Sequence, residues 1–309
     1  MMPSIVIHSA GLFTTVQDAG RYGYQRYGMP VAGAMDPFSL RLANILAGND
    51  PGAACLEATI VGPEIEFTDD TAVAVTGADM GLCINGRSAS LNTTLTVKKG
   101  DILSFTGLAS GCRSYIAFAG GIDVPEVMGS RSTYLRAAVG GFEGRALRNG
   151  DILGLGKGQG KVKVKELPQG VIPLYKSSQT IHIISGPEAG RFEMEGLRSF
   201  LTAEYSVTDR SDRMGYRLDG EQIVHKPGGA DIISAGLSAG TVQVPGDGKP
   251  IVLMADRQTT GGYARIANVI TADLTLVAQM KPGDTMRFRE VTLDHARELL
   301  LLRYAAFGV

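Results

Sequence analysis

Short runs of β-branched and other apolar residues recur along the whole chain and limit the folds it can adopt. The clearest runs cover residues 5–8, 72–75, 91–97, 115–119, 180–184, 241–244 and 251–254. Glycine, proline, asparagine and aspartate lie between them, and glycine alone accounts for 41 of the 309 residues. Strands at this spacing favour barrels or sandwiches over a parallel sheet with alternating helices. We therefore expect a mainly β protein.

Helical patterns are few. The clearest helix begins at Asp36, with an aspartate as N-cap, Pro37 at the first helical position and Gly48 at the end. Its apolar face is predicted from four residues, which are Phe38, Leu42, Ile45 and Leu46. Two further helices are predicted at residues 187–201 and 293–306.

Two sequence patterns recur in the same order in both halves of the chain. Residues 21–25 (RYGYQ) resemble residues 213–217 (RMGYR), and residues 98–105 (KKGDILSF) resemble residues 281–288 (KPGDTMRF). A third Gly-Asp copy lies at residues 149–153 (NGDIL). Each Gly-Asp pair is typical of a turn that leads into a strand. The repeated order suggests duplication or pseudo-symmetry.

The length of the chain corresponds to about two domains of roughly 150 residues each. We expect an N-terminal β domain at 1–156, a linker at 157–178 and a C-terminal β domain at 179–309. A basic run at 157–165 is interpreted as part of a solvated linker rather than as a phosphate site. Two similar domains would leave a cleft between them, and we expect a small-molecule site there.

Charge and hydropathy exclude several classes of protein. Lysine and arginine total 30 and aspartate and glutamate 31, so no net field favours nucleic acid or an anionic membrane. No stretch approaches roughly 18 apolar residues, and the first residues lack the pattern of a secretory signal, so we expect a cytoplasmic protein. Cys55, Cys83 and Cys112 fit no metal spacing and the four histidines are isolated, so we expect no metal site.

Common catalytic and nucleotide-binding motifs do not explain this chain. Residues 236–240 (GLSAG) match the Gly-x-Ser-x-Gly pattern, but a nucleophile elbow needs a helix after the serine, and residues 241–245 (TVQVP) predict a strand. We interpret this segment as a glycine-rich turn. The sequence also contains no Gly-x-x-x-x-Gly-Lys-Ser/Thr motif, so we expect no P-loop for ATP binding in this chain.

Polar residues cluster in glycine-rich loops, where backbone can approach a ligand closely. The clusters lie at residues 17–21 with 33–36, at 129–133 with 140–141 and Arg145, at 211–215, and at 256–263. The last cluster follows a predicted buried strand, as ligand-binding loops often do. Structural roles for these residues are also open. Asp36 suits a helix cap. Ion pairs that stabilise turns could form between Asp18 and Arg21 and between Asp212 and Arg213.

The same loops carry a family resemblance over nearly the whole chain. The segments concerned are 11–21 (GLFTTVQDAGR), 33–37 (GAMDP), 43–44, 48–49, 56–57, 118–122 (FAGGI), 211–215 (SDRMG), 242–245 (VQVP) and 253–263 (LMADRQTTGGY). They resemble the KipA family, the C component of bacterial 5-oxoprolinase, which is similar to biotin-dependent carboxyltransferases and the allophanate hydrolase subunit 2 family. The resemblance implies two tandem cyclophilin-like β-barrel domains with a few short helices.

The resemblance further implies a role as the C component of an ATP-dependent 5-oxoprolinase, which opens 5-oxo-L-proline to L-glutamate. The implied partners are a KipI-like B component and a LamB/YcsF-like A component, with ATP consumed by the complex. Arginine side chains suit the carboxylate and phosphate groups of this reaction, and an aspartate suits the base. We expect Asp256 and Asp36 to be catalytic. The expected substrate-binding residues are Arg21, Arg213, Gln258, Thr259, Thr260, Ser130 and Arg131.

Two other functions remain open from the sequence. One is a biotin-dependent carboxyltransferase similar to urea carboxylase, in which carboxybiotin and a small amide share the site. The chain itself has no convincing biotinylation site, since the flanks of Met280-Lys281 do not resemble one. The other is a regulatory protein that binds a KipI-like inhibitor of a sensor kinase.

Overall fold

The computed structural model describes residues 3–158, 162–168, 170–305 and 307. Two compact units divide the chain: Met1–Tyr22 with Ala32–Leu174 form the first, and Gly23–Val31 with Tyr175–Val309 form the second. Segment 23–31 thus belongs to the second unit although it lies early in the sequence. The domain limits of 1–156, 157–178 and 179–309 stay a prediction. Residues 159–161 and Gln169 of the predicted linker and Ala306 of the predicted third helix lie outside the described residues.

The first unit is built from short strands and one helix. These are β1 (Ser4–Ser9), β2 (Phe13–Gln17), α1 (Pro37–Ala47), β3 (Cys55–Thr59), β4 (Glu64–Phe67), β5 (Thr71–Asp79), β6 (Leu82–Ile84), β7 (Arg87–Ser88), β8 (Thr94–Val97), β9 (Ile102–Phe105), β10 (Ser110–Phe118) and β11 (Ile152–Gly154).

Two antiparallel sheets enclose the core of this unit. One has the order β11-β1-β4-β9-β6-β7 and the other β2-β3-β10-β5-β8. Their facing side chains form one apolar cluster that includes Ile5, Phe67, Val75 and Ile116. Helix α1 covers the opposite face of the second sheet, where Leu40 and other small or apolar residues pack.

Helix α1 follows its sequence prediction. The Asp36 carboxylate accepts hydrogen bonds from the Ser39 N–H at 3.1 Å and the Ser39 hydroxyl at 2.6 Å. Pro37 occupies the first turn, and Gly48 ends the helix at φ +76°. The N-cap, proline and terminal glycine therefore act as predicted.

The second unit contains the remaining elements. These are β12 (Ser178–Ser185), α2 (Met194–Thr202), β13 (Tyr205–Val207), β14 (Gly215–Asp219), β15 (Asp231–Gly236), β16 (Thr241–Val244), β17 (Ile251–Leu253), β18 (Thr260–Val269), α3 (Leu274–Ala278), β19 (Thr285–Glu290) and α4 (Leu293–Ala305). The predicted helix at 187–201 is shorter than expected, because a 3₁₀ turn at Ala189–Arg191 precedes α2.

Seven strands of the second unit close into a barrel. The order is β12-β19-β13-β14-β17-β16-β18, and pairing of β12 with β18 completes the ring. Strand β15 pairs with the first part of β18, which continues beyond the ring. The prediction of a mainly β protein built on barrels with a few short helices is confirmed.

The three Gly-Asp repeats share one turn structure. In each turn the aspartate N–H donates to the carbonyl three residues earlier, and the aspartate carboxylate accepts from the N–H of that same residue. The glycines Gly100, Gly150 and Gly283 have φ of +85°, +89° and +90°. A strand follows each turn, as predicted. The Arg-x-Gly-Tyr repeat does not share a structure, since residues 21–25 lie in turns whereas residues 215–217 begin β14.

Candidate functional site

A pocket of about 500 Å³ opens in the second unit where β12 and β15 diverge along β18. Strand β12 pairs with the second half of β18, at residues 267–269, and β15 pairs with its first half, at residues 260–263. The polar side chains that line the pocket include Ser185, Ser238, Thr241, Thr259, Thr260, Arg265 and Asn268. This volume lies in the range of about 300–1,000 Å³ that is typical of small-molecule sites.

Ser238 lies at one side of this pocket, in the turn between β15 and β16. Its hydroxyl is 3.1 Å from the Thr241 hydroxyl and 3.3 Å from Asn268 Oδ1. Strand β16 begins three residues later, so no helix follows the serine. The interpretation of Gly-Leu-Ser-Ala-Gly as a turn rather than a nucleophile elbow is confirmed in its geometry.

Arg265 forms another part of the wall and is held by Glu188. Their two hydrogen bonds, from Nε to Oε2 and from Nη2 to Oε1, both measure 2.6 Å. Arg265 Nη1 also donates to the Gly236 carbonyl at 3.0 Å, which ties the end of β15 to β18. The hydrogen bonds from Arg265 hold the pKa of the Glu188 carboxyl below its ordinary value. Sequence reasoning missed this pair, and the only signal was a charged residue just beyond segment 253–263.

Thr259 and Thr260 are the predicted substrate-binding residues that line the pocket. The Thr259 carbonyl accepts from the Leu237 N–H at 3.0 Å, so this loop is anchored to the turn that carries Ser238. Gln258 is half-buried on the same loop but does not line the pocket.

Arg213 and Asp256 form a buried ion pair. The guanidinium donates from Nε to Oδ2 and from Nη2 to Oδ1, both at 3.0 Å. Arg213 is 7% exposed and Asp256 5%. Their backbones are also joined, since the Asp256 N–H donates to the Arg213 carbonyl at 2.8 Å. This geometry favours a structural role in fixing the start of the 256–263 loop.

Asp212 shapes the turn that precedes β14. Its carboxylate accepts from the N–H groups of Met214 and Gly215, at 2.8 and 3.2 Å. An aspartate that bonds backbone two residues ahead forms an Asx turn. Asp212 therefore fixes the backbone at the entry to β14, and Arg213 is ion-paired with Asp256.

In the first unit, Arg21, Ser130 and Arg131 are brought together around Asp18. The Asp18 carboxylate accepts from the Ser130 hydroxyl at 2.7 Å, the Arg131 N–H at 2.5 Å and the Ser132 hydroxyl. Arg21 is fully buried and donates to the carbonyls of Val127 and Ser132, at 2.9 and 3.0 Å. Asp18 and Arg21 thus both bind the 127–132 loop, and the predicted ion pair between them stays a prediction.

Asp36 lies at the end of a buried hydrogen-bonded chain. Its N–H donates to the Tyr115 hydroxyl at 2.8 Å, and that hydroxyl donates to Glu57 Oε2 at 2.7 Å. Glu57 also accepts from the Met35 N–H at 2.8 Å. Burial, together with the neighbouring carboxylates, raises the pKa of Tyr115 well above its ordinary value. Asp36 is fully buried and caps α1, so its observed contacts are structural. Its catalytic assignment, like that of Asp256, stays a prediction.

Metal binding and membrane insertion each need a particular arrangement of residues in the described part of the chain. No cluster of three or more His, Cys, Asp or Glu residues there is arranged to hold a metal ion. No helix among the same residues has the length and apolar character needed to cross a bilayer.

Comparison with known proteins places this geometry in context. The family described as carboxyltransferase domain, subdomain A and B, matches residues 27–290. The chain is 42% identical to the C component of 5-oxoprolinase from Escherichia coli over 93% of its own length and 91% of that protein. It is 36% identical to the corresponding 5-oxoprolinase component of Haemophilus influenzae, over 92% and 90%. The crystal structure of K. lactis urea amidolyase matches 99% of this chain and 20% of that one, with a TM-score of 0.92 and 32% identity.

Proposed function

Because this chain belongs to the carboxyltransferase domain family, with subdomains A and B, we propose that it is the C component of an ATP-dependent 5-oxoprolinase. The observation that carries the proposal is 42% identity with the E. coli protein of that name along nearly the whole of both chains. The partners in this proposal are a KipI-like B component and a LamB/YcsF-like A component, in the cytoplasm.

The proposed reaction explains the need for ATP. The amide of 5-oxo-L-proline is an unstrained lactam and a poor electrophile. Transfer of the γ-phosphoryl group of ATP to the lactam oxygen releases ADP and gives an imidate phosphate. One water adds to the activated carbon, the ring C–N bond breaks to give an acyl phosphate, and a second water releases L-glutamate and phosphate. The sequence lacks a P-loop, and we assign no ATP site to this chain.

The pocket in the second unit suits this substrate. 5-Oxo-L-proline carries a carboxylate and a lactam carbonyl, both of which accept hydrogen bonds. The hydroxyls of Thr259 and Thr260 and the guanidinium of Arg265 supply donors around a space of about 500 Å³. We propose that Thr259 and Thr260 position the substrate, and that Arg213 and Asp256 fix the loop on which both threonines lie.

A biotin-dependent carboxyltransferase is the second candidate function. The likeness to K. lactis urea amidolyase, at a TM-score of 0.92 over 99% of this chain, favours it. In that case carboxybiotin on another protein would bring the carboxyl group, and the same donors would hold it. The higher identity with the E. coli 5-oxoprolinase component, 42% against 32% for urea amidolyase, favours the oxoprolinase role over this alternative.

An ATPase assay with the reconstituted complex separates these functions. We expect 5-oxo-L-proline to stimulate ADP release only when this chain and both partners are present, with L-glutamate formed in equal amount. Stimulation by urea and bicarbonate with a biotinylated carrier would instead support the carboxyltransferase. Oxoproline-dependent ADP release by the purified single chain would contradict the role of one component among three.

A further inference from the structure

Asn268 lies in the wall of the second-unit pocket, on β18, and pairs with Thr241 of β16 across the barrel ladder. We propose that Asn268 is a substrate-binding residue that selects ligands with a carbonyl or carboxylate oxygen, and that Ser238 and Thr241 position its amide. This inference rests on the proposed function for the identity of the ligand, and it adds residues that the sequence did not single out as substrate-binding.

Two hydroxyl groups hold the oxygen of the Asn268 amide. The Thr241 hydroxyl accepts from the Ser238 N–H at 3.3 Å and donates its proton to Asn268 Oδ1 at 2.8 Å. The Ser238 hydroxyl donates to the same oxygen at 3.3 Å. An amide oxygen has two lone pairs, so these two donors satisfy its acceptor capacity.

The fixed oxygen determines where the amide nitrogen lies. An asparagine side chain carries its acceptor and its two N–H donors on opposite sides of a planar group. With Oδ1 directed to the hydroxyl pair, Nδ2 is directed away from it, on a half-buried residue that lines the pocket. The amide therefore offers donors to a bound molecule and no acceptor.

Arg265 adds further donors to the same pocket. It has five N–H groups, of which three bind Glu188 and the Gly236 carbonyl, and the other two have no hydrogen-bond partner among the described residues. Glu188 is already engaged by Arg265, so its carboxylate does not offer a free acceptor surface to a ligand. A small molecule with two acceptor groups, such as a carboxylate and an amide carbonyl, satisfies these donors best.

This arrangement gives the Gly-Leu-Ser-Ala-Gly segment a function other than nucleophilic catalysis. Gly240 has φ +83°, and a Cβ atom there would lie 2.9 Å from the Val269 carbonyl oxygen. The glycine therefore permits the close turn that brings Ser238 and Thr241 against Asn268. Ser238 acts as a positioning residue, together with Thr241.

Asn268→Asp tests the proposal, because aspartate keeps the acceptor for both hydroxyls but loses both donors and adds a negative charge. In the reconstituted enzyme we expect KM for 5-oxo-L-proline to rise about 10- to 100-fold, because the variant loses a hydrogen bond to a charged group of the substrate. We expect kcat to change much less. The melting temperature should stay near that of the wild type. An unchanged KM in a folded variant would overturn the proposal.

A second variant removes the positioning residues and leaves Asn268 in place. Ser238→Ala with Thr241→Val should raise KM, whereas Ser238→Ala alone should raise it less, because Thr241 still holds Oδ1. Equal KM for the double variant and the wild type, with both folded, would exclude the positioning role even if Asn268→Asp proved unstable.

Direct binding separates failure of this inference from failure of the proposed function. If the wild-type assembly does not turn over 5-oxo-L-proline, the proposed function fails. Calorimetric titration of the wild-type and Asn268→Asp assemblies with 5-oxo-L-proline then decides the inference: binding that Asn268→Asp weakens supports it, and equal affinity of the two assemblies overturns it.

Discussion

Replacing Asp256 with asparagine tests whether this residue stabilises the second unit or takes part in the reaction. The sequence predicts a catalytic carboxylate, whereas the structure shows it paired with Arg213 through two hydrogen bonds of 3.0 Å, with both residues less than a tenth exposed. The substitution keeps the shape of the side chain and removes its charge. The buried guanidinium would then face a neutral amide.

The expected loss is large because the pair is buried. Removing one partner of a buried ion pair costs about 3–5 kcal/mol, since the other charge remains desolvated. For a unit of this size each kcal/mol lowers the melting temperature by about 2–4 °C, so we expect a decrease of about 6–20 °C. The backbone bond from the Asp256 N–H to the Arg213 carbonyl remains in the variant and limits the change to the side chains.

Thermal unfolding followed by circular dichroism and calorimetry measures this effect, alongside turnover of the assembly. The double variant Arg213→Met with Asp256→Leu should recover much of the loss, because apolar residues of similar volume often replace a buried pair without cost. Asp219→Asn is the control, since Asp219 pairs with Lys249 on the surface and its side chain is 66% exposed. Its removal should leave the melting temperature nearly unchanged.

A stable Asp256→Asn protein with sharply lower turnover would refute the structural argument and support the catalytic assignment. A stable and fully active variant would exclude Asp256 from both roles. Loss of stability with activity falling only in proportion to unfolding would support the structural role.

Three further predictions concern other parts of the molecule. Ser238→Ala should retain most of the wild-type kcat in the reconstituted enzyme, with only a small rise in KM, and a loss of roughly 10³-fold in kcat without unfolding would restore the nucleophile hypothesis. Gly140→Ala should lower the free energy of unfolding by more than about 1–2 kcal/mol, because φ is +68° and a Cβ atom would overlap the Ser132 carbonyl. Gly150→Ala is the control and should cost less, because Gly150 also has a positive φ, +89°, but has open space around it. The hydrogen bonds from Arg265 lower the pKa of Glu188, so the pair contributes stability above the unfolded pKa, and this stability is lost as pH falls through the folded pKa. The melting temperature should therefore fall as the pH is lowered below the ordinary glutamate pKa, and it should fall less in Glu188→Gln.

Much of the fold was predictable because it depends on local chemistry. The Asp36 cap, Pro37 and Gly48 define α1 within a dozen residues, and each Gly-Asp turn is complete within four. Two other segments show the limit of this reasoning. The predicted helix at 187–201 is shortened by a 3₁₀ turn at Ala189–Arg191, and the two Arg-x-Gly-Tyr segments have similar sequences but different backbones.

The sequence by itself determined the strand-rich class, the best helix and the loop that carries Thr259 and Thr260. Only the tertiary structure decided which side chains meet. Arg213 pairs with a carboxylate 43 residues away, Arg265 with one 77 residues away, and Thr241 with an amide 27 residues away. These partners depend on strand order and register in the closed barrel, which arise from packing of the whole unit. Local sequence sets what each residue can donate or accept, and the register of distant strands sets what it binds.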